Sequence, residues 1–404
     1  MRRIALLLLL VVLPRVARTA ERPNVLVILS DDQAWTDYGF MGHDTIKTPH
    51  LDQLAAQSAV FPRGYVPASL CRPSLATLIT GLYPHQHRIS GNDPVFDAPR
   101  GTPKYKAEEY LRLNQRLIEH IEEHPTVPRL LGAQGYKSLQ TGKWWEGHHS
   151  RGGFTSGMTH GDPDRGGRHG DAGLTIGREG LQPIYDFIEE TGETPWFIWY
   201  GAFLPHSPHN PPERLLAKYT APGKSIHVAR YQAMCEWWDE TCGELLDHLD
   251  QKELADNTLV VYVCDNGWIQ KEDGPQYAPR SKRSPNEGGV RTPIMLRWPG
   301  HIQPAKYETL VSSIDLTPTM LAAAGVETPA NLPGLNLLDV CEQGGKCDRH
   351  QLFGEIFEHD ITDVDDPAKS LMYRWTIDGD WKLILPHGQG TAELYNLADD
   401  PHEN

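Results

Sequence analysis

Two acid-bearing segments, SDDQ at 30–33 and CDNG at 264–267, supply Asp31, Asp32, Asp265 and Asn266. All four are hard oxygen donors, a set suited to Ca²⁺ ahead of Mg²⁺ and unsuited to a thiophilic metal. Taken singly, each segment has a plainer explanation, since an Asp pair can cap a helix and Asp-Asn-Gly is a turn signal. Three further residues stand in punctuated contexts: Lys143 in TGKWWEG, His206 in FLPHSPH and Lys282 in SKRSPNEGG. A divalent metal and several such donors together hold a tetrahedral oxyanion and stabilise charge developing on it.

The remaining chemical candidate is Cys71, in SLCRPSLATLITG at 69–81. Leu75, Leu78 and Ile79 recur after it at helical spacing, Pro73 suits a first turn, and Gly81 suits a helix end. Cys71 therefore stands at a helix mouth, where free backbone N–H groups favour an anion and lower a thiol pKa. A buried apolar cysteine leading into a packed helix is the alternative.

These residues need a scaffold. NVLVILSDD and NTLVVYVCDNG each read as a nearly continuous apolar strand, Val25 to Leu29 and Leu259 to Val263, ending in acids. Such runs suit buried strands of a parallel sheet. Between them the pattern predicts helices around 49–59, 107–121, 126–134, 178–190 and 227–250, and a strand in PWFIWYGAF at 195–203. Alternating strands and helices predict an α/β fold whose ligands gather at the carboxyl ends of strands, where both acid pairs fall. The Gly-, His-, Arg- and Asp-rich segment 146–173 has no sustained period and is expected to line a polar pocket. MYRWTIDGDWKLIL predicts a small antiparallel sheet turning at Asp378–Gly379.

The chain starts with two arginines and an apolar run from Ile4 to Leu13, so residues 1–20 read as a signal peptide and predict an exported, periplasmic or extracellular protein without stable membrane insertion. The expected organisation is a leader at 1–20, a catalytic α/β domain at 21–300 and a smaller α+β subdomain with antiparallel strands at 301–404. Cys341 and Cys347 flank EQGGK, whose glycines favour a local disulfide, whereas Cys235 and Cys242 lie too far apart along one helix to pair directly. A formal charge of −15 over 404 residues argues against a nonspecific nucleic-acid binder.

In combination the motifs resemble the formylglycine-dependent sulfatase family, the type I sulfatases of the alkaline-phosphatase-like superfamily, from about Pro23 to the ELYNLADDPHEN tail. RPNVLVILSDDQ matches the family's opening strand and acid pair, CRPSLATLITG its C-x-P-x-R motif and short helix, and GKWW its G-K-W-H. PHSP, CDNG and KRSPNEGGVRTP match later motifs in the family's order. The resemblance implies an alkaline-phosphatase-like mixed sheet flanked by helices and a sulfuric ester hydrolase. It implies that a maturation enzyme oxidises Cys71 to formylglycine and that Asp31, Asp32, Asp265 and Asn266 bind calcium beside it. Asp265 would assist deprotonation of the aldehyde hydrate, Lys143 and Lys282 would neutralise sulfate oxygens, and His206 or Lys282 would protonate the leaving oxygen.

Two positions depart from the family pattern: Leu75 replaces the motif's arginine and Trp145 the histidine. Arg72, Arg63 and Arg88 are candidates to supply the missing charge. Around the site, Arg72, His85, His87, Arg88, Trp145, His148, His149 and Arg151 are expected to contact substrate. Tryptophans stack on sugar faces while His and Arg bind hydroxyls or carboxylates, so a sulfated carbohydrate is the expected substrate. A phosphatase or phosphodiesterase of the same superfamily, and a noncatalytic sulfated-glycan-binding protein, are the alternatives.

Overall fold

The computed structural model describes residues 22–97, 102–165 and 167–404, so the expected leader lies outside the described residues. In chain order the strands are β1 (Asn24–Ser30), β2 (Ala59–Tyr65), β3 (Asp93–Pro94), β4 (Lys137–Gly142), β5 (Ser156–Gly157), β6 (Trp196–Gly201), β7 (Thr258–Cys264), β8 (Arg291–Arg297), β9 (Ala305–Lys306), β10 (Val311–Ser312), β11 (Gln351–Phe357), β12 (Asp360–Ile361), β13 (Leu371–Asp378), β14 (Trp381–Pro386) and β15 (Glu393–Asn396).

The main sheet runs β10-β2-β8-β7-β1-β6-β4-β5, with β9 also on β2. Every pairing in it is parallel except those of β8, which lies antiparallel to β2 and to β7 and makes the sheet mixed. β1 is buried at all seven positions, as the apolar run requires when both faces are covered. Alternation divides its side chains: Val25, Val27 and Leu29 join one apolar layer with Leu75, Leu78 and Ile79 of the helix Cys71–Thr80. Leu26 and Ile28 join the opposite layer with Met234, Trp238 and Leu245 of the long helix Ile226–Gln251. The result is the alkaline-phosphatase-like architecture expected, a mixed sheet between two helical layers.

A second sheet, β11-β13-β14-β15, is antiparallel throughout and turns after Asp378 at Gly379, in the left-handed conformation at φ 58°. Residues 305–306 and 311–312 still pair with β2, so the main sheet continues past residue 300 and the antiparallel sheet occupies 351–396. A two-residue parallel pairing of β3 with β12 links the two regions and sets the neighbourhood of His359 beside Asn92.

The buried contact between the sheets is electrostatic as well as apolar. Lys382 on β14, fully buried, donates to Glu287 Oε1 at 2.8 Å and lies 2.9 Å from Glu403 Oε1, while Tyr65 at the end of β2 donates to Glu287 Oε2 at 3.0 Å. All six cysteines are free. The expected Cys341–Cys347 bridge is thus absent: Cys341 lies in the last turn of the helix Leu337–Glu342, and both cysteines pack against the apolar layer. Among the described residues no helix is long and apolar enough to cross a membrane.

Removing one member of a buried charged cluster leaves the others uncompensated, at a cost of about 3–5 kcal/mol. Lys382→Met is expected to lower the unfolding free energy by about that amount, read as a reduced denaturant midpoint against the parent.

Candidate active site

Full register between β1 and β7 pairs Ser30 with Cys264, so the next residues, Asp31 and Asp265, leave the sheet side by side. Asp265 N donates to Ser30 O at 3.0 Å, and Asp32 N donates to Asp265 Oδ1 at 3.1 Å. Asp32 turns back with φ 63°, and Asn266 Nδ2 donates to its Oδ1 at 2.6 Å. All four residues are at most 2% exposed.

Three loops bring basic side chains to this acidic centre. Lys143 follows β4 and donates to Asp31 Oδ1 at 2.7 Å, with Asp265 Oδ2 at 3.8 Å. Its placement depends on Gly142, at φ 77°, where a Cβ would stand 1.8 Å from the carbonyl oxygen of Gly201 on β6. Lys282, from the β7–β8 connection, donates to Asp32 Oδ1 at 2.5 Å and to Cys71 Sγ at 3.1 Å. His206, beyond β6, places Nε2 3.3 Å from Asp32 Oδ2. Its Nδ1 lies 2.5 Å from the carbonyl of Ser207, which can only accept, so Nδ1 carries a proton and Nε2 is the atom free to exchange one.

Burial governs the ionisation here. It raises Asp31 well above the usual carboxylate range, with the charge of Asp265 adding to the effect, and it raises Asp265 as well. Asp32 is buried too, but Lys282, His206 and Lys143 outweigh that burial and hold its carboxyl down. Burial opposes charge on both lysines, yet Asp31 raises Lys143 and Asp32 raises Lys282, keeping both protonated. Burial, joined by the Lys143 charge, pushes His206 well below the ordinary imidazole value.

Cys71 opens the helix Cys71–Thr80 as expected, but burial outweighs the nearby lysines and pushes its thiol up to about 12. The helix mouth therefore does not yield a thiolate, which corrects that expectation. Asp31 Oδ2, Asp32 Oδ2, Asp265 Oδ2 and Asn266 Oδ1 are buried without a hydrogen-bond partner. Four orphaned oxygens on Asp32 and three residues around it, two of them on carboxyls destabilised by burial and mutual repulsion, fit a hard divalent cation.

Above the centre opens a cleft of about 360 Å³, lined by Asp32, Cys71, Lys143, Trp145, His206 and Lys282 together with Asn92, Arg168, His169, Ser207, Trp268, Tyr277, Arg283 and His359. The last eight were not singled out from the sequence. Arg168 and His169 fall in the segment expected to line a pocket, and Trp268 directly follows Asp-Asn-Gly, whereas His359 arrives through the β3–β12 pairing and has no local signal. Arg168 lies over the Trp145 ring, 4.4 Å from its centroid, and His169 is 5.3 Å from it.

Most of the expected substrate contacts lie elsewhere. Arg72 is fully buried and clamps Glu146 with both arms, Nε to Oε1 at 2.9 Å and Nη2 to Oε2 at 2.7 Å, while Nη1 donates to Asn114 at 2.9 Å. His87 is buried against Thr77 at 3.1 Å, and the exposed His85 pairs with Glu355 at 2.5 Å. Arg88 pairs with Glu123, and Arg151 with Glu122 at 2.8 Å. His148 and His149 group with His160, away from the cleft lining.

Arg63 binds Gly379 O and Asp380. None of Arg63, Arg72 and Arg88 lines the cleft; the cation touching Cys71 is Lys282. Leu75 is 3% exposed in the apolar layer, a burial worth about 1.5–3 kcal/mol.

Comparison with known proteins gives a consistent picture. The Sulfatase family model matches residues 23–326, and the model of the N-sulphoglucosamine sulphohydrolase C-terminal region matches 278–404. Human N-acetylgalactosamine-6-sulfatase is 29% identical over 371 residues, covering 81% of this chain and 67% of its own. Bovine arylsulfatase A is 29% identical over 389 residues, covering 83% and 70%. Among solved structures, Ps i-CgsB in complex with k-i-k-neocarrahexaose superposes with TM-score 0.73 at 23% identity, covering 95% of this chain and 88% of its own. Phosphonate monoester hydrolase of Agrobacterium radiobacter superposes at 0.71 with 20% identity, covering 95% and 90%.

The Arg72–Glu146 clamp joins the residue after Cys71 to the segment three residues past Lys143. Glu146→Gln leaves the buried guanidinium underpaired and is expected to cost about 3–5 kcal/mol in unfolding free energy. Arg151→Ala, at a half-buried surface pair with Glu122, is expected to stay within about 1 kcal/mol of the parent in the same measurement.

Proposed function

Because the chain belongs to the sulfatase family and is a hydrolase, we propose that it removes sulfate from a sulfated carbohydrate at the Cys71 cleft, using calcium and a formylglycine made from Cys71. The observation that carries this reading is the joint occurrence of four orphaned buried oxygens and a thiol held protonated beside two ammonium groups. A thiol with a pKa of about 12 is a poor nucleophile near neutrality, so the position gains reactivity by conversion, not as cysteine. Conversion calls for a maturation enzyme as partner, and with the leader-like start of the sequence it supports an exported protein.

Asp31, Asp32, Asp265 and Asn266 would hold the calcium, with position 71 beside them. Calcium supplies positive charge against a developing oxyanion, and an aldehyde hydrate supplies an oxygen nucleophile with a second hydroxyl for releasing sulfate. The chain's own groups do the rest. The Lys143 and Lys282 ammoniums would bind sulfate oxygens, Asp265 would take the hydrate proton, and Lys282, or His206 Nε2 after first taking up a proton, would deliver one to the leaving oxygen. The stacking of His206 on Phe203, with centroids 4.2 Å apart, keeps its ring oriented.

Carbohydrate is favoured by the cleft wall, where Trp145 and Trp268 stand among the polar groups of Arg168, Arg283 and His359. The names of similar proteins, an N-acetylgalactosamine-6-sulfatase and one solved with k-i-k-neocarrahexaose, lean the same way. The fold shared with a phosphonate monoester hydrolase makes phosphoryl transfer the reading to test against.

The Cys71 peptide from the native host is expected about 18 Da lighter than its sequence mass, H₂S exchanged for oxygen; an unchanged peptide sinks the formylglycine mechanism. On matched esters, sulfate should turn over faster than phosphate, and the reverse preference assigns a phosphoryl hydrolase. Binding of sulfated saccharide by the converted protein without cleavage assigns a noncatalytic binder. Lys282→Met is expected to lower kcat/KM by about 10²–10³, and exhaustive chelation to abolish turnover until calcium is restored.

A further inference from the structure

His148, His149 and His160 form a cluster outside the catalytic cleft, and one ring nitrogen from each lies within 4.8 Å of the other two. The His148 and His149 rings are 4.1 Å apart between centroids, and His160 lies 5.5 Å and 5.9 Å from them. His149 Nδ1 lies 3.1 Å from the carbonyl of Thr159, which can only accept; Nδ1 is therefore the protonated nitrogen and Nε2 presents a lone pair. His148 Nδ1 accepts from Ser150 N at 3.2 Å and meets Ser150 Oγ at 2.8 Å, so without an ion its proton sits on Nε2; ligation through Nε2 moves that proton to Nδ1, where Ser150 Oγ turns to accept it.

The backbone brings these rings together by construction. Gly161 has φ 75°, and a Cβ there would stand 2.9 Å from Gly147 Cα and His148 N; on Gly157 it would meet His149 Cβ at 2.5 Å. Asp171 holds the opposite strand of the loop in place, accepting from His160 N at 2.9 Å, Gly161 N at 2.8 Å and Asp162 N at 3.2 Å. Segments 147–149 and 157–162 are thus in contact through glycines, with all three imidazoles on the same side.

We propose that His148, His149 and His160 are a binding site for a borderline-soft divalent cation of the Zn²⁺ class, separate from the hard oxygen centre at Cys71. Three neutral imidazoles suit Zn²⁺, Co²⁺, Ni²⁺ or Cu²⁺ and not Ca²⁺. Zinc–nitrogen bonds of about 2.0–2.1 Å put tetrahedral ligand atoms roughly 3.4 Å apart, so the rings close on the ion by about an ångström, which the exposed His148 and His160 are free to do. The bound ion cross-links the two sides of a loop that starts just after Trp145 and Glu146 and returns to the cleft at Arg168 and His169.

The test uses the full chain saturated with Ca²⁺, which keeps the carboxylate centre occupied. Zn²⁺ is titrated in competition with a chromophoric chelator, and Co²⁺ is followed by visible absorption. The parent is expected to take up one more Zn²⁺ than the His148→Ala, His149→Ala, His160→Ala triple variant and to show Co²⁺ bands that the variant lacks. His160→Gln alone should weaken Zn²⁺ by at least about 10-fold, the lower end of the cost of losing even a supporting group at a metal site. Zn²⁺ should raise the melting temperature of the parent and not of the triple variant. Should the triple variant fail to fold, His160→Gln carries the same comparison. Equal stoichiometry and affinity in parent and variants overturn the proposal, as does a parent that takes up no Zn²⁺.

Discussion

Parallel pairing of β1 with β7, in register from Asn24 with Thr258 to Ser30 with Cys264, is the constraint on which the site depends. It ends two apolar strands at the same level, so the acids that follow meet below 3% exposure. Three buried carboxyls within reach of one another are costly, because water is excluded while like charges remain. Everything around them answers that cost. Lys143 and Lys282 supply two positive charges, the backbone N–H of Asp32 donates to Asp265, and one oxygen on each of these acids stays without a hydrogen-bond partner.

The cations arrive on loops, and each loop is tied down away from the chemistry. Gly142 lets the backbone at Lys143 pass against Gly201 with no room for a side chain. Arg72 and Glu146 lock the start of the helix Cys71–Thr80 to the segment following Lys143, in a dry bidentate pair with 0% and 4% side-chain exposure. On the far side, Lys382 between Glu287 and Glu403 seats the antiparallel sheet near the connection that carries Lys282. An open α/β sheet gathers reactive groups at its strand ends, but loops alone hold geometry loosely. The buried ion pairs give these loops one arrangement.

Cys71 shows how packing overrides a local expectation. A helix N-terminus favours thiolate, and two ammoniums stand nearby, yet full burial wins and the thiol stays protonated. Leu75 follows the same logic one turn on: it faces the apolar layer with Leu78 and Ile79, and no arginine is drawn in to replace the one the motif lacks. Positive charge at position 71 comes instead from Lys282, which contacts the sulfur directly. Trp145, where the family pattern has a histidine, lies in the cleft wall with the Arg168 guanidinium over its ring.

What the sequence determined by itself is whatever rests on local pattern. Continuous apolar runs announced β1 and β7, helical spacing announced Cys71–Thr80 and Ile226–Gln251, and short punctuated motifs pointed to Asp31, Asp32, Asp265, Asn266, Lys143, His206 and Lys282, which do converge. Those signals are legible because strand and helix periodicity, and residues next to strand ends, depend on neighbours in the chain. Side-chain direction was not legible. Arg72, His85, His87, Arg88 and Arg151 sit close to the motifs in sequence but turn to Glu146, Glu355, Thr77, Glu123 and Glu122, since a charged or polar group takes whichever partner folding brings near. Nor was the entry of His359 into the cleft, which requires β12 to pair with β3 across more than 260 residues of chain. The tertiary structure alone decided these, because burial and long-range pairing, not sequence distance, select which groups face one another.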